Sequence, residues 1–192
     1  MRLRSLLVFA VTALSVSDAW AHAGHLPDAT FAFGFMHPWF GIDHALAAIA
    51  VGLWASAQRY GRRWRAPAAF VASMLVGALA GHASGAPPFI DTGIAGSLVL
   101  LGALLLGERR LPPALGLSAI ASFAVLHGLA HGGDAPVTGS WPAYLAGLAI
   151  GTALLHGVGL AGGYATRRHA PRLWPALAIG CSAAGAWLLA TS

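Results

Sequence analysis

The residues of this chain most able to do chemistry are ionisable side chains set in long apolar stretches. A charged side chain inside a membrane span costs about 2.5–3.5 kcal/mol on insertion scales, so each one is a functional candidate. Two runs stand out: His37-Pro38-Trp39-Phe40-Gly41-Ile42-Asp43-His44 and Leu126-His127-Gly128-Leu129-Ala130-His131-Gly132-Gly133-Asp134. His127 and His131 are four residues apart, about 6 Å in helical rise and on one face, a spacing at which two imidazoles hold one divalent ion. Asp134 continues that face one turn later, with Gly132 and Gly133 expected to loosen the helix there. In the first run Pro38 suits the first position of a helix, which would put His37 at its cap. Positions 37, 41, 44, 48 and 52 read His, Gly, His, Ala, Gly, a close-packing stripe that turns His37 and His44 inward. On a straight helix these two lie about 10 Å apart, too far to share one ion. Asp43, about 100° around the helix from His44, is either a ligand or a group that orients the imidazole.

The donor types narrow the ion. Imidazoles with a few carboxylates suit Ni(II), Co(II), Zn(II) or Fe(II), whereas the thiolates and thioethers that select Cu(I) are scarce, with one Cys and three Met in the chain. An oxygen-only set, as Mg(II) or Ca(II) would want, is not present. Cys181 alone makes neither a disulfide framework nor a CxxC motif.

The elements that must position these groups are membrane helices. Of the 192 residues 57% are hydrophobic and 9% charged, with 25 Gly and 7 Trp; a soluble domain carries roughly 25% charge, so the surface cannot be an ordinary aqueous one. Residues 1–21 have the layout of a signal peptide: Arg2 and Arg4, an apolar core from Leu6 to Leu14, and Ala19-Trp20-Ala21 as a cleavage site. Cleavage would make His22 the new N-terminus. The alternative, an uncleaved first helix, suffers from an apolar stretch short of the roughly 20 residues a span requires. Six apolar stretches follow, near 35–57, 66–82, 90–106, 113–131, 141–164 and 173–190. The expected fold is all-α, a polytopic bundle of six transmembrane helices over residues 22–192 after a cleaved signal peptide.

Arg residues alternate along the connections. Arg59, Arg62, Arg63 and Arg65 lie in the first, Arg109 and Arg110 in the third, and Arg167, Arg168 and Arg172 in the fifth, while the others have none. The positive-inside rule makes the odd connections cytoplasmic and the mature N-terminus external. The net charge of +5 is thus a topology signal, with the Arg residues too scattered over short loops for a nucleic-acid surface. This orientation gathers His37, His44, His82, Asp91, His127, His131 and Asp134 in the outer half of the membrane, with His22 and His25 able to fold over them. His156 falls deeper and reads as a helix-packing histidine, with an inward relay the alternative. Gly77 and Gly81, Gly128 and Gly132, Gly147 and Gly151, and Gly159 and Gly163 are small-xxx-small pairs for close helix approach.

At these residues the chain resembles the HupE/UreJ family of nickel and cobalt permeases. The family's His-x5-Asp-His is matched by His37, Asp43 and His44. Its Phe-His-Gly-x-Ala-His-Gly-x-Glu is matched by His127, Gly128, Ala130, His131 and Gly132, with Leu126 in place of Phe and Asp134 in place of Glu. The resemblance implies uptake of Ni(II), or of Co(II), across the bacterial inner membrane to supply hydrogenase or urease maturation. The ion is then a transported substrate, with no permanently bound cofactor and no enzymatic activity. His37, Asp43 and His44 would form the primary site, His127, His131 and Asp134 the facing wall, and Asp91 and His82 a peripheral capture zone. No Walker-type phosphate loop is present, so this chain does not use ATP. The runner-up is an intramembrane zinc hydrolase, in which an Asp activates zinc-bound water; Ser73, Ser84, Ser97, Ser118 and Ser122 are polar auxiliaries for it, although serine is ordinary helix glue. A haem protein with axial histidines is a third class.

Overall fold

A computed structural model describes residues 28–59, 61–108 and 110–191. The expected signal peptide, His22 and His25 lie outside the described residues. Seven α-helices occur among them: α1 Phe31–Phe40, α2 Ile42–Ala57, α3 Arg65–Ser84, α4 Ile90–Gly107, α5 Pro113–Gly133, α6 Trp141–His169 and α7 Trp174–Thr191, the last preceded by a 3-10 turn, Pro171–Leu173. Five of these, α3 to α7, are long and apolar enough to cross a membrane (α7 together with its 3-10 turn), and α1 with α2 would make a sixth as one broken span. The chain is an all-α, multi-pass membrane protein.

The first span is where the structure departs most from a straight-helix reading. α1 and α2 meet at Gly41 with an 84° bend. Pro38 does not open a helix; it is buried inside α1, which starts at Phe31 with Thr30 Oγ1 accepting from the Phe33 amide at 3.1 Å. A proline inside a helix has no amide hydrogen for the preceding turn, and Gly41 follows in an extended conformation (φ −78°, ψ 108°). An added Cβ at Gly41 would sit 3.1 Å from His44 Nδ1 and 3.2 Å from Asp43 Oδ1, so the missing side chain makes room for that pair. The stripe through 37, 41, 44, 48 and 52 is therefore split between two helices. Gly132 and Gly133 do not loosen α5, which runs through both and ends with the Asp134 amide donating to Ala130 O at 2.9 Å.

Each glycine pair has a backbone partner. Cβ atoms at Gly77 and Gly81 would strike the carbonyls of Val125 and Leu129, and at Gly128 and Gly132 those of Met74 and Ala78, so α3 and α5 touch main chain to main chain. Cβ atoms at Gly147 and Gly151 would strike the carbonyls of Phe31 and Phe35 in α1, and at Gly159 that of Ile49 in α2, while one at Gly163 would strike the Ser56 hydroxyl oxygen of α2. The two halves of the broken span thus lie along successive halves of α6. α2 is the central helix, with Ala47, Ala48 and the run Ala50–Ser56 buried. Outward faces carry Leu100, Leu115, Ile150, Leu154, Val158 and Ile179, a surface suited to lipid. The buried polar side chains Ser97, His127, His131, Thr152 and His156 face inward, as the cost of polar groups in hydrocarbon requires.

The two ends of the bundle differ in charge. At one end Arg167 pairs with Glu108, bringing two Arg-bearing connections together, and the Trp174 indole donates to Leu105 O at 3.2 Å. At the other end the Ala29 amide donates to Thr138 O and the Ser140 amide to Ala29 O, both at 2.7 Å. That pairing ties the segment before α1 to the Arg-free connection between α5 and α6.

Candidate metal centre

The bend at Gly41 brings His37 and His44, from different helices, onto the same side chain of α5. The His131 ring centroid lies 4.9 Å from that of His37 and 4.3 Å from that of His44, and His44 in turn lies 4.9 Å from His127. Four imidazoles therefore form one continuous cluster, in which His127 and His131 are fully buried. The close α3–α5 packing fixes these two: Gly128 and Gly132 each follow a histidine and press α5 against α3, which leaves the adjacent histidines facing α1 and α2.

Hydrogen bonds set which nitrogen is free in His44 and His127. Asp43 Oδ1 accepts from the His44 backbone amide at 2.8 Å and from Nδ1 at 2.7 Å. A carboxylate can only accept, so Nδ1 carries the proton and Nε2 presents its lone pair; that Nε2 is buried with no hydrogen-bond partner. Asp43 is thus placed as an orienting group, the common arrangement behind a metal-binding histidine. Ser97 Oγ donates to Ile94 O at 2.7 Å and lies 3.1 Å from His127 Nε2. With its hydrogen committed, the hydroxyl oxygen accepts from Nε2–H, leaving His127 Nδ1 as the basic nitrogen. His131 Nδ1 is buried without a partner. Leaving such atoms bare costs about 1–3 kcal/mol each, which packing alone does not justify.

The remaining expected residues divide by distance from this cluster. His82 is not part of it; it is exposed and stacks on Trp141 at 4.1 Å and 15°, and Trp141 stacks on Tyr144 at 5.4 Å. Asp91 and Asp134 are exposed at the same end. Partial burial and the charge of Asp91 hold the Asp134 carboxyl above the usual carboxylate range, with His44 opposing the shift. Among the described residues no three His, Cys, Asp or Glu side chains stand in a ready coordination shell. The imidazoles form a string rather than a cage.

Three contributors have roles that spacing did not assign. Ser97 is a histidine partner rather than mere helix glue. Tyr144 is fully buried, donates to His131 O at 3.1 Å and lies 6.3 Å from the His37 ring. Gly41 provides the bend. Their types are common in membrane helices, and only the tertiary contacts distinguish them.

The family described as HupE / UreJ protein matches residues 9–188. The chain belongs to the HupE/UreJ family. It is 38% identical to Protein HupE of Rhizobium leguminosarum bv. viciae over 147 residues, covering 76% of each chain. No solved structure matches it significantly. Membership in HupE/UreJ gives no support to the zinc hydrolase alternative.

Proposed function

We propose that this protein is an inner-membrane uptake permease for divalent transition-metal ions, Ni(II) foremost and Co(II) next. The observation that carries the reading is the convergence of His37, His44, His127 and His131, with His44 Nε2 and His131 Nδ1 buried and unpartnered. A string of neutral nitrogen ligands suits ions of this class. Because no three of them form a tight cage, the ion is exchanged along the string rather than retained, as conduction demands. In this reading the signal peptide is cleaved after Ala21, the mature N-terminus is periplasmic, the Arg-bearing end is cytoplasmic, and His22 lies near the outer mouth. Asp91, Asp134 and His82 collect the ion at that mouth. Asp43 orients His44 and offsets part of the ion's charge. Use of the ion for hydrogenase or urease maturation follows from the family resemblance alone.

The chain has no phosphate-binding loop, so the membrane potential is the natural driving force. An inside-negative potential favours inward passage of a dication by about 4.6 kcal/mol per 100 mV, twice the single-charge value. The test is uptake into proteoliposomes with an imposed potential, with Ni(II), Co(II), Zn(II) and Mn(II) in competition. Potential-dependent accumulation of Ni(II) or Co(II) is expected. Vesicles that accumulate none of these ions would refute the permease.

A further inference from the structure

His156 lies on α6 in the half of the bundle away from the outer mouth and is fully buried. Its Nδ1 is 2.8 Å from the carbonyl oxygen of Ala48 in α2. A carbonyl only accepts, so Nδ1 is protonated and Nε2 carries the lone pair. That Nε2 is buried with no hydrogen-bond partner. One turn earlier on α6, Thr152 Oγ1 donates to Met74 Sδ of α3 at 3.7 Å. One turn before Met74, the ring of Phe70 lies 5.0 Å from His156 and 5.6 Å from His127. A single aromatic ring therefore separates the outer histidines from a further bare imidazole nitrogen, with a thioether and a hydroxyl one turn along.

We propose that His156 is an inner transit site for a divalent transition-metal ion. The ion is taken at Nε2, with Met74 Sδ and Thr152 Oγ1 as its neighbouring donors, and it arrives from His127 past the Phe70 ring. This rests on the permease reading of the outer cluster. A histidine that served packing alone would need only its bond to Ala48, yet this one keeps its other nitrogen buried and bare while its ring lies edge-on to Phe70. One imidazole with weak auxiliary donors binds loosely, which suits an intermediate stop that must release its ion.

The test uses the full chain with Ni(II) alone, measuring equilibrium binding in detergent and uptake in proteoliposomes. His156→Asn keeps an amide donor for Ala48 and removes Nε2. It should lower the uptake rate roughly tenfold or more while Ni(II) affinity at the outer cluster stays within about twofold. The near-isosteric Met74→Leu should lower Ni(II) uptake relative to Mn(II), an ion with less affinity for sulfur. Wild-type uptake by His156→Asn, an unchanged Ni(II) to Mn(II) ratio in Met74→Leu, or joint loss of binding and uptake in His156→Asn would each overturn the inner site. A wild-type protein that transports no ion would instead overturn the permease reading and this site with it.

Discussion

His44 and His156 use one device at two depths. Each donates Nδ1–H to a fixed acceptor and leaves Nε2 buried and bare. Their surroundings differ in charge. His44 leans on the Asp43 carboxylate and is ringed by His127 and His131, with Asp91 and Asp134 at the mouth nearby. His156 leans on a neutral backbone carbonyl and faces Phe70. In the proposed permease, a dication would meet compensating negative charge where it is gathered, and neutral dipoles where it must move on. The contrast suggests that capture and passage are separable properties of this molecule, and substitutions at the outer end should affect both while those at the inner end affect passage alone.

The largest effect that would break this contrast is expected from His44→Ala. It removes the imidazole shared by both neighbours, and should abolish Ni(II) binding by titration calorimetry and Ni(II) uptake alike. The protein should still elute as a folded species, because the side chain lines a polar cluster rather than an apolar core. Loss of folded protein in step with activity would make His44 a structural residue. Asp43→Asn comes next. It keeps size and removes the charge and strong acceptor that hold the ring, and should weaken Ni(II) affinity by about 10- to 100-fold. Unchanged affinity would leave the charge gradient between the two ends without a role.

A smaller effect should follow Gly41→Ala. The added methyl would lie within 3.2 Å of the Asp43–His44 pair, displacing the ring without deleting it. Ni(II) affinity should fall by roughly a few-fold, less than for Asp43→Asn, with no change in the Ni(II) preference set further in. Smallest is Asp91→Asn, read as the pH dependence of uptake. Asp91 helps to raise the pKa of the Asp134 carboxyl, so its negative charge makes Asp134 protonate at a higher pH than an ordinary carboxylate. Removing that charge favours the ionised form of Asp134. Metal capture needs ionised carboxylates, so the acid limb of the uptake profile should move to lower pH. A limb that stays in place would take Asp134 out of ion capture.

Much of this arrangement was legible in the sequence because membrane energetics forbid idle polar groups. The histidines could be assigned to one end from span direction and Arg alternation alone, and all four small-residue pairs found partners. The bend at Gly41 was not legible, since a proline before a helix and a proline within one look alike until Phe31–Phe40 is seen to be helical. That single difference changes His37 and His44 from residues too far apart to cooperate into neighbours of one imidazole. What His82 meets at the periphery was not legible either: depth fixes the end of a span, but its azimuth depends on packing, and α3 turns this ring to Trp141. The tautomers of His44, His127 and His156 depend on acceptors in the tertiary structure and have no signature in spacing.

The glycines also mark how far this protein can be engineered. At Gly128, Gly132, Gly147 and Gly159 a methyl group would meet a carbonyl of another helix, whereas at Gly96, Gly157, Gly162 and Gly180 it would meet nothing within 4 Å. All four open positions are helical, where alanine is favoured over glycine by about 0.8–1.0 kcal/mol in aqueous hosts and narrows the unfolded ensemble. A variant carrying alanine at these four sites should survive heating in detergent longer than the parent, with its histidines undisturbed, and would be the natural starting material for crystallisation.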